Sequence, residues 1–305
     1  MKSEGRLEKI FEKGEFAVTG ELGPPKHSNI EKMVENIGHL KSSVDAANIT
    51  DNQTAIVRIS SLATAAICIK EGLEPVMQMT VRDRNRIAMQ SDILGAGAIG
   101  VPNLLCLSGD HQTLGSHPEA KGVYDLDSIQ LIQAVKDMRD GPKFINGEEI
   151  KFPPKLLIGA VWSPTSEPID IRIPRLGKKI SAGADFIQTQ GIYNVERFSQ
   201  IMENVRKAGL DKKVKLMAGV IPIKSVGAAR YMQKNVSGVD VPEEVVKRLK
   251  DAQDPATEGI KMAQEIIQQL REIKGVAGVH VMAIQWEKKV PEIVEGAGLL
   301  PRPKI

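Results

Sequence analysis

Residues 104–110 read Leu-Leu-Cys-Leu-Ser-Gly-Asp, a short apolar run that ends in a small residue, a glycine and a carboxylate. A run that is apolar at every position is typical of a strand buried on both faces, most often in a parallel sheet. Asp110 then follows the C-terminal end of that strand, where α/β folds place their chemistry. The simpler interpretation is that Asp110 caps the next element or closes a turn, so the other strand ends must be compared with it.

The composition is that of a globular chain without a strong charge preference. The 305 residues are enough for one large domain or two ordinary ones. A net charge of +3 without basic runs argues against nucleic acid as a partner. No apolar stretch reaches membrane-spanning length, and the N-terminus carries no signal region. We therefore expect a cytoplasmic protein that binds neither nucleic acid nor membrane.

The cysteines and histidines do not form a metal-binding pattern. Cys68 and Cys106 lie in apolar stretches, which predicts buried free thiols in a reducing compartment. His111 and His117 are six residues apart and have no cysteine partners nearby. The sequence therefore predicts no metal site.

A repeated unit of helix, glycine and strand indicates the architecture. Glycine just after a helix supplies the left-handed residue that ends it. Five amphipathic segments end in this way before an apolar run, at Gly72, Gly97, Gly183, Gly209 and Gly275. With three further apolar runs there are eight strand candidates, at residues 16–22, 44–50, 76–80, 104–107, 156–161, 186–190, 214–220 and 279–282.

Eight alternating strand and helix units favour a closed (β/α)8 barrel, a TIM barrel, in a single domain over residues 1–305. The alternative is an open doubly wound sheet, but no Gly-x-Gly-x-x-Gly follows the first strand. Two insertions are predicted. Residues 143–150 contain Asn-Gly and predict a hairpin before the fifth strand, and residues 235–257 predict an extra helix between units seven and eight.

Polar side chains stand at the ends of several predicted strands. Glu21 ends the first strand, Thr50 the second and Gln190 the sixth, while Gln78 lies within the third. In a barrel these ends converge on one mouth, together with Asp110. Each residue has a structural explanation by itself, such as a cap or a tied turn. Their recurrence at successive strand ends favours a site.

The predicted mouth supports a limited range of chemistry. The sequence holds no nucleophile elbow and no phosphate-cradling glycine loop. It offers two carboxylates on different strands, whose surroundings can separate their roles. We expect Glu21, beside Leu22 and two prolines, to be desolvated and to act as a general acid, and Asp110 to stay ionised and orient a polar ring. Redox chemistry at this site would require a bound cofactor.

The motifs at these strand ends resemble those of the methylenetetrahydrofolate reductase family, flavoproteins with a (β/α)8 barrel. The 178–190 segment, with Ala-Gly-Ala and a final Thr-Gln, is the most specific of them. The resemblance covers residues 16–290 in the family's order, and the chain is similar to the short folate reductases of acetogenic bacteria. The matching segments are residues 20–26, 48–50, 105–110, 178–190 and 218–223.

The resemblance implies reduction of 5,10-methylenetetrahydrofolate to 5-methyltetrahydrofolate. Glu21 resembles the general acid that assists opening of the folate's five-membered ring, after which a reduced flavin N5 delivers hydride to the methylene carbon. Asp110 resembles the carboxylate between flavin and pterin, and Gln190 and Met282 fall at folate-binding positions. The residues that match flavin-binding positions are Thr50, Gln78, Ser108, Gly109, Tyr124, Asp125, Ser163 and Lys179.

Several of these positions depart from the family pattern. Ser108 replaces a common arginine, Gln78 a histidine, Ser163 lies near another histidine position, and Met282 replaces an aromatic residue. These changes reduce the expected contacts to an FAD adenosine, so FAD is expected by resemblance and FMN is the alternative. The segment after Pro222 lacks the usual aromatic, so electrons are expected from NAD(P)H or through a partner protein. We also expect an oligomer.

Two other functions are compatible with the same residues. A pterin-binding methyltransferase barrel would move a methyl group from methyltetrahydrofolate to a corrinoid and would need no flavin. A non-catalytic subunit would use the barrel as a docking surface, although it would have no need of Glu21, Asp110 and Gln190 together.

Overall fold

Eight parallel strands close on themselves in the computed structural model, which describes residues 1–236 and 238–305. Each strand pairs with its neighbour in chain order, and β8 pairs with β1. The predicted (β/α)8 barrel is confirmed and the open sheet is wrong. The strands are β1 Ala17–Leu22, β2 Ala46–Ile49, β3 Pro75–Thr80, β4 Asn103–Leu107, β5 Leu157–Trp162, β6 Phe186–Gly191, β7 Lys215–Val220 and β8 Val276–Val281.

Helices alternate with the strands and pack on their outer faces. On the helix over residues 195–207 the buried side chains recur at helical spacing, from Phe198 to Val205. None of the helices in the described part of the chain is both long and apolar enough to cross a membrane. The helices are α1 Arg6–Glu12, α2 Glu31–Leu40, α3 Ser61–Lys70, α4 Arg86–Ala98, α5 Ser128–Asp140, α6 Arg172–Ala182, α7 Val195–Lys207, α8 Val226–Asn235, α9 Glu243–Asp251, α10 Pro255–Arg271 and α11 Val290–Gly296.

Both predicted insertions are present. Within residues 143–150 the Phe144 N–H donates to the Glu148 carbonyl over 2.9 Å, and Gly147 takes the left-handed conformation that the hairpin turn requires. The extra helix of the 235–257 segment is α9, and residue 237 of that segment lies outside the described residues.

One of the five helix-ending glycines was predicted wrongly. Gly97 lies inside α4, which continues to Ala98, and the left-handed residue comes later at Gly100. A Cβ at residue 97 would lie 2.9 Å from Cβ of Pro154, so close packing explains the glycine there. The other four have positive φ as predicted, at Gly72, Gly183, Gly209 and Gly275.

The two cysteines are buried and unbonded, as predicted from their apolar surroundings. Cys68 packs among the side chains between barrel and helices, and Cys106 lies on the outward face of β4. Burial raises the pKa of each thiol to about 12. Neither sulfur is therefore a ready nucleophile at neutral pH.

The N-terminal end of the barrel, which we call the floor, is closed by α1. Leu7, Ile10 and Phe11 of this helix pack against the lowest side chains inside the barrel. The Phe11 and Phe186 rings lie 6.2 Å apart between centroids. The inward side chains of this layer are apolar: Ala17, Ala46, Val76, Leu105, Leu157, Phe186 and Met217. The opposite, C-terminal end of the strands, which we call the mouth, is where polar groups begin.

Candidate active site

Strand alternation brings four of the predicted site residues to the inside of the mouth. Side chains two residues apart share one face of a strand, so the residues two and four positions beyond the floor layer also point inward. Glu21, Thr50 and Gln190 each lie four residues beyond a floor-layer side chain, and Gln78 lies two beyond Val76. The predicted strand-end residues therefore line one opening.

A buried polar network crosses the barrel just below this opening. The Asn48 amide of β2 donates to the Gln188 carbonyl oxygen of β6 over 2.7 Å, and Gln188 Nε2 donates back to Asn48 Oδ1 over 3.1 Å. Gln188 Nε2 also donates to Thr19 Oγ1 over 3.1 Å. Thr19 Oγ1 lies 3.0 Å from Nδ1 of His280. All four side chains are buried, so the network links β2, β6, β1 and β8 without solvent.

Glu21 stands at the upper end of this network. The residue is only 9% exposed, and its Oε2 lies 3.7 Å from Nε2 of His280, longer than a hydrogen bond. A second buried carboxyl group, that of Glu287, is close enough to interact electrostatically with Glu21. Burial, with the Glu21 charge adding to it, raises the pKa of Glu287. The mouth thus holds two carboxyl groups and an imidazole in a desolvated pocket.

A cation closes the β8 side of this pocket. Lys224 Nζ donates to the carbonyl oxygens of Ile284 over 2.9 Å and Gln285 over 3.2 Å, and it lies 5.2 Å from the Trp286 ring centroid. Partial burial lowers the pKa of Lys224, and the lysine charge in turn opposes the rise in the Glu287 pKa. The loop after β8 is therefore held beside Glu21 by a lysine from the loop after β7.

Asp110 occupies a different environment from Glu21. Its side chain is exposed, and Oδ2 accepts a hydrogen bond of 2.9 Å from the backbone N–H of Thr54. The Asp110 carbonyl accepts from Arg82 Nη1 over 2.9 Å. Gly109 before it has φ +83°, and a Cβ there would lie 3.1 Å from Cβ of Thr80. The Gly-Asp pair therefore needs its glycine, and the carboxylate is fixed to a neighbouring loop.

Thr50 is the residue at the mouth best suited to hydrogen-bond a ligand. Its side chain is 2% exposed, yet its Oγ1 has no hydrogen-bond partner within residues 1–236 and 238–305. Buried hydroxyl groups are nearly always paired in folded proteins. Gln112 Oε1 and Arg58 Nε, in the loops after β4 and β2, are unpaired in the same range. Groups that offer hydrogen bonds in this way suit a heteroaromatic ring with carbonyl oxygens and N–H groups.

Lys179 is the buried cation among the predicted cofactor residues. Its Nζ donates to the Val161 carbonyl over 2.5 Å, and burial lowers its pKa to about 8. An ammonium group has three N–H donors, so one hydrogen bond leaves capacity for an anion. Lys179 Nζ therefore makes one hydrogen bond to the protein and keeps two N–H groups that could pair with an anion.

The remaining predicted cofactor residues are spread more widely. Tyr124 is half-exposed with φ +43°. Asp125 accepts three hydrogen bonds from Arg86, and this guanidinium and backbone N–H lower its pKa to about 2. Ser108 is exposed, and Ser163 lies against Gly238. Asp125 is therefore already engaged by α4, and these four residues lie outside the buried network.

Met282 lies across the β7 side of the mouth. A Cβ at residue 219 would lie 2.7 Å from Cε of Met282 and 2.5 Å from the Thr189 carbonyl. Gly219 is thus needed for this close approach. Gln190, next to Thr189, is half-buried at the end of β6. The two predicted folate-binding residues therefore border the same part of the rim.

Reasoning from the sequence missed five buried polar residues of the site. A signal for most of them was present: stepping two residues back from Glu21, Thr50, Gln190 and Met282 reaches the network on the same strand faces. Glu287 had no such signal, because it lies in a turn after β8. The residues missed are Thr19, Asn48, Gln188, His280 and Glu287.

Comparison with known proteins shows which sequences this chain is similar to. The sequence model of the family described as methylenetetrahydrofolate reductase matches residues 6–298. A fission yeast (Schizosaccharomyces pombe) protein named methylenetetrahydrofolate reductase 2 is 27% identical over 285 residues, which is 90% of this chain and 43% of the yeast protein. The 5,10-methylenetetrahydrofolate reductase of Salmonella typhimurium is 21% identical over 94% of this chain and 93% of its own length.

Solved structures share the fold. A Clostridium thermocellum protein, described as binding two copies of 5-methyl-5,6,7,8-tetrahydrofolic acid, superposes with a TM-score of 0.64 at 16% identity. The match covers 95% of this chain and 96% of that protein. The chain spans less than half the length of the yeast relatives it matches, whereas its length agrees with that of the bacterial reductase.

Proposed function

The chain belongs to the methylenetetrahydrofolate reductase family, and we propose that it uses a bound flavin to reduce 5,10-methylenetetrahydrofolate to 5-methyltetrahydrofolate. The observation that carries the proposal is the buried carboxyl group of Glu21, at the inner edge of the mouth and beside an imidazole. Its position beneath an opening lined by polar strand ends suits an acid that acts on a bound heterocycle.

The role we propose for Glu21 is proton donation to the folate. Opening the five-membered ring leaves negative charge on a ring nitrogen, and a carboxylic acid Oε–H supplies the proton that this nitrogen needs. The low exposure of Glu21 excludes water from the transfer. Asp110, fixed by the Thr54 N–H but open to the mouth, would hold the pterin by accepting its N–H groups.

The residues present fit a flavin. Bound there in its reduced form, the flavin would supply the hydride. Thr50 Oγ1, unpaired within the described ranges, would hydrogen-bond the ring, and Lys179 would pair with a phosphate. FAD and FMN remain the two candidates, because Ser108, Ser163 and Met282 offer little to an adenosine.

The comparison with solved structures supports folate as the substrate. A protein of the same fold is described as binding 5-methyl-5,6,7,8-tetrahydrofolic acid. In this chain Gln190 and Met282 border the rim above the Glu21 pocket, one with an amide and one with a flexible apolar side chain. This pairing suits a pterin with polar edges and an apolar face.

We further propose that electrons reach the flavin through a partner protein. The support is the loop after β7, where Lys224 and Ser225 occupy the segment that bears an aromatic residue in the family, and where Lys224 is already engaged by the β8 loop. Anaerobic mixing with NADH tests this proposal. Slow or absent flavin bleaching is expected, and rapid bleaching at micromolar NADH would contradict it.

The central experiment starts from the purified protein reconstituted with FAD or FMN. After photoreduction, added methylenetetrahydrofolate is expected to reoxidise the flavin anaerobically and to yield 5-methyltetrahydrofolate by mass spectrometry. Glu21→Gln should slow this step by about 10²–10⁴-fold, the usual contribution of a general acid, while the flavin stays bound.

The matched control is Glu12→Gln, the same change on the exposed side of α1 at the floor, which should leave the rate unchanged. A Glu21→Gln protein with the wild-type reoxidation rate would rule out the proposed acid. A protein that binds no flavin yet binds methyltetrahydrofolate tightly would instead point to methyl transfer.

A further inference from the structure

The hydrogen bonds of the buried network have a direction. Gln188 Nε2 has two hydrogens and donates one to Asn48 Oδ1 and the other to Thr19 Oγ1. The Asn48 amide in turn donates to Gln188 Oε1, so the two amides form a closed pair. Thr19 Oγ1 is therefore an acceptor from Gln188, and its own hydrogen must go elsewhere.

The Thr19 hydroxyl hydrogen goes to His280. The Thr19 side chain is fully buried, and a buried hydroxyl that donates to nothing is costly. Within the described ranges its second hydrogen-bond neighbour is Nδ1 of His280, 3.0 Å away. Nδ1 then accepts, and in a neutral imidazole the proton must sit on Nε2. Nε2 is the nitrogen that lies 3.7 Å from Glu21 Oε2.

We infer that His280 is a positioning residue for Glu21, held by the Asn48–Gln188–Thr19 chain as the tautomer that presents Nε2–H to the carboxyl group. This inference rests on the proposed role of Glu21 as an acid. When Glu21 gives up its proton, a negative charge appears in a buried pocket. A preorganised N–H beside that charge stabilises it at the moment it forms.

Other charged groups also lie around the Glu21 carboxyl group, and the contribution of His280 must be separated from theirs. Glu287, in the turn after β8, opposes charge on Glu21, and Lys224 from the β7 loop partly offsets Glu287. Lys32 of α2 also acts on Glu287 from further away. His280 is the neighbour that approaches Glu21 from inside the barrel, at the same level as Thr19 in the β1–β8 register.

The tautomer is directly measurable in the wild-type protein without any activity. The chain has five histidines, so selective ¹⁵N-histidine labelling and long-range ¹H–¹⁵N correlation spectra are tractable. His280 is identified by the signal lost in His280→Asn. The expected pattern is a protonated Nε2 and an unprotonated Nδ1. The reverse pattern would mean that both amides point the other way, and it would overturn the inference.

Two variants test what fixes the tautomer. Thr19→Val keeps the shape but removes the hydroxyl donor, so the His280 signals should lose the single Nε2–H pattern. Thr64→Val is the matched control, because it removes another buried hydroxyl, on α3 outside the barrel. An unchanged tautomer in Thr19→Val would contradict the proposed chain of donors.

Two substitutions at residue 280 distinguish a role in positioning the Glu21 carboxyl group from a role in packing alone. Gln reaches as far as Nε2 and retains an N–H for Glu21, whereas Asn reaches only as far as Nδ1. In the flavin reoxidation assay His280→Asn should lower the rate by about tenfold or more, the value of one lost donor to a charged group, with folate KM and flavin binding unchanged. His280→Gln should recover much of the rate, and His39→Asn, at a partly exposed position on α2, should match wild type.

Equal rates in wild type, His280→Asn and His280→Gln would overturn the inference, as would equal losses in both variants. Failure of the proposed function looks different. In that case the wild-type protein itself would not convert methylenetetrahydrofolate, while the NMR spectrum would still report which nitrogen of His280 carries the proton.

Discussion

A buried carboxylate at the floor of the barrel and a buried hydroxyl group at its mouth are paired differently. At the floor the buried carboxylate of Asp45 accepts from the Val18 N–H and from both Arg6 and Arg302. At the mouth, Thr50 Oγ1 is buried and finds no partner in the described part of the chain. The protein itself pairs the Asp45 carboxylate fully, whereas the Thr50 hydroxyl group is available to hydrogen-bond a ligand.

The two ends also differ in how many non-glycine residues have positive φ. A non-glycine residue with positive φ is uncommon and costs roughly 1–3 kcal/mol, more so for a β-branched one such as Thr54. Among the described residues, Glu4 is the one such case near the floor, and the mouth loops hold Asn52, Thr54, Ala55, Tyr124 and Gln285. The contrast indicates that the floor residues stabilise the fold. The mouth loops instead adopt backbone conformations of higher free energy, as expected of loops that hold ligands.

The largest expected difference comes from the same substitution made at each end. Asp45→Asn removes a fully buried charge between two arginines and leaves them without their counter-ion. Breaking a buried pair from one side costs about 3–5 kcal/mol. Urea unfolding followed by circular dichroism should show this loss, while any flavin bound below the transition midpoint keeps its spectrum.

Asp110→Asn is the counterpart at the mouth. This carboxylate is exposed, so the free energy of unfolding should change by less than about 0.5 kcal/mol. The rate of flavin reoxidation by methylenetetrahydrofolate should instead fall by about tenfold, the value of one hydrogen bond to a charged group. If both variants lost stability equally, the division between floor and mouth would be wrong.

Much of the fold was predictable because its signals are local. Apolar runs and helix-ending glycines marked the eight units, and the strand ends followed from them. Gly97 misled the prediction because its cause is Pro154, which lies 57 residues away in the chain and packs against the α4 backbone. A contact of this kind leaves no pattern near the glycine itself.

The candidate site was predictable only in part, for a related reason. Glu21 and Thr50 could be named because they end apolar runs. Asn48 and Gln188 look like ordinary polar residues in strands 140 positions apart, and the closed barrel makes them hydrogen-bond partners. Asp125 illustrates the same limit, because its partner Arg86 comes from a different unit and cannot be predicted from the residues beside Asp125.

The next largest effect concerns the charge on Lys179. Its pKa is lowered to about 8 by burial, so its protonated fraction falls from about 0.9 at pH 7 to about 0.1 at pH 9. If the ammonium group holds the flavin phosphate, FMN affinity should fall by up to about tenfold as pH rises through 8. Fluorescence quenching at the two pH values gives the dissociation constants.

Riboflavin, which lacks the phosphate, provides the ligand control and should bind equally at pH 7 and pH 9. Lys179→Met should weaken FMN binding at pH 7 and remove its pH dependence, whereas the exposed neighbour Lys178→Met should do neither. A riboflavin affinity that falls in parallel with that of FMN would assign the pH effect to some group other than Lys179.

The smallest expected effect compares a buried hydroxyl group at the mouth with one on α3 outside the barrel. Thr50→Val and Thr64→Val each remove a buried hydroxyl that is unpaired within the described ranges, so each should leave the free energy of unfolding unchanged or raise it by about 1 kcal/mol. Only Thr50 faces the mouth, so only Thr50→Val should weaken flavin binding, by about three- to tenfold. Equal flavin affinities in the two variants would mean that the Thr50 hydroxyl serves no ligand.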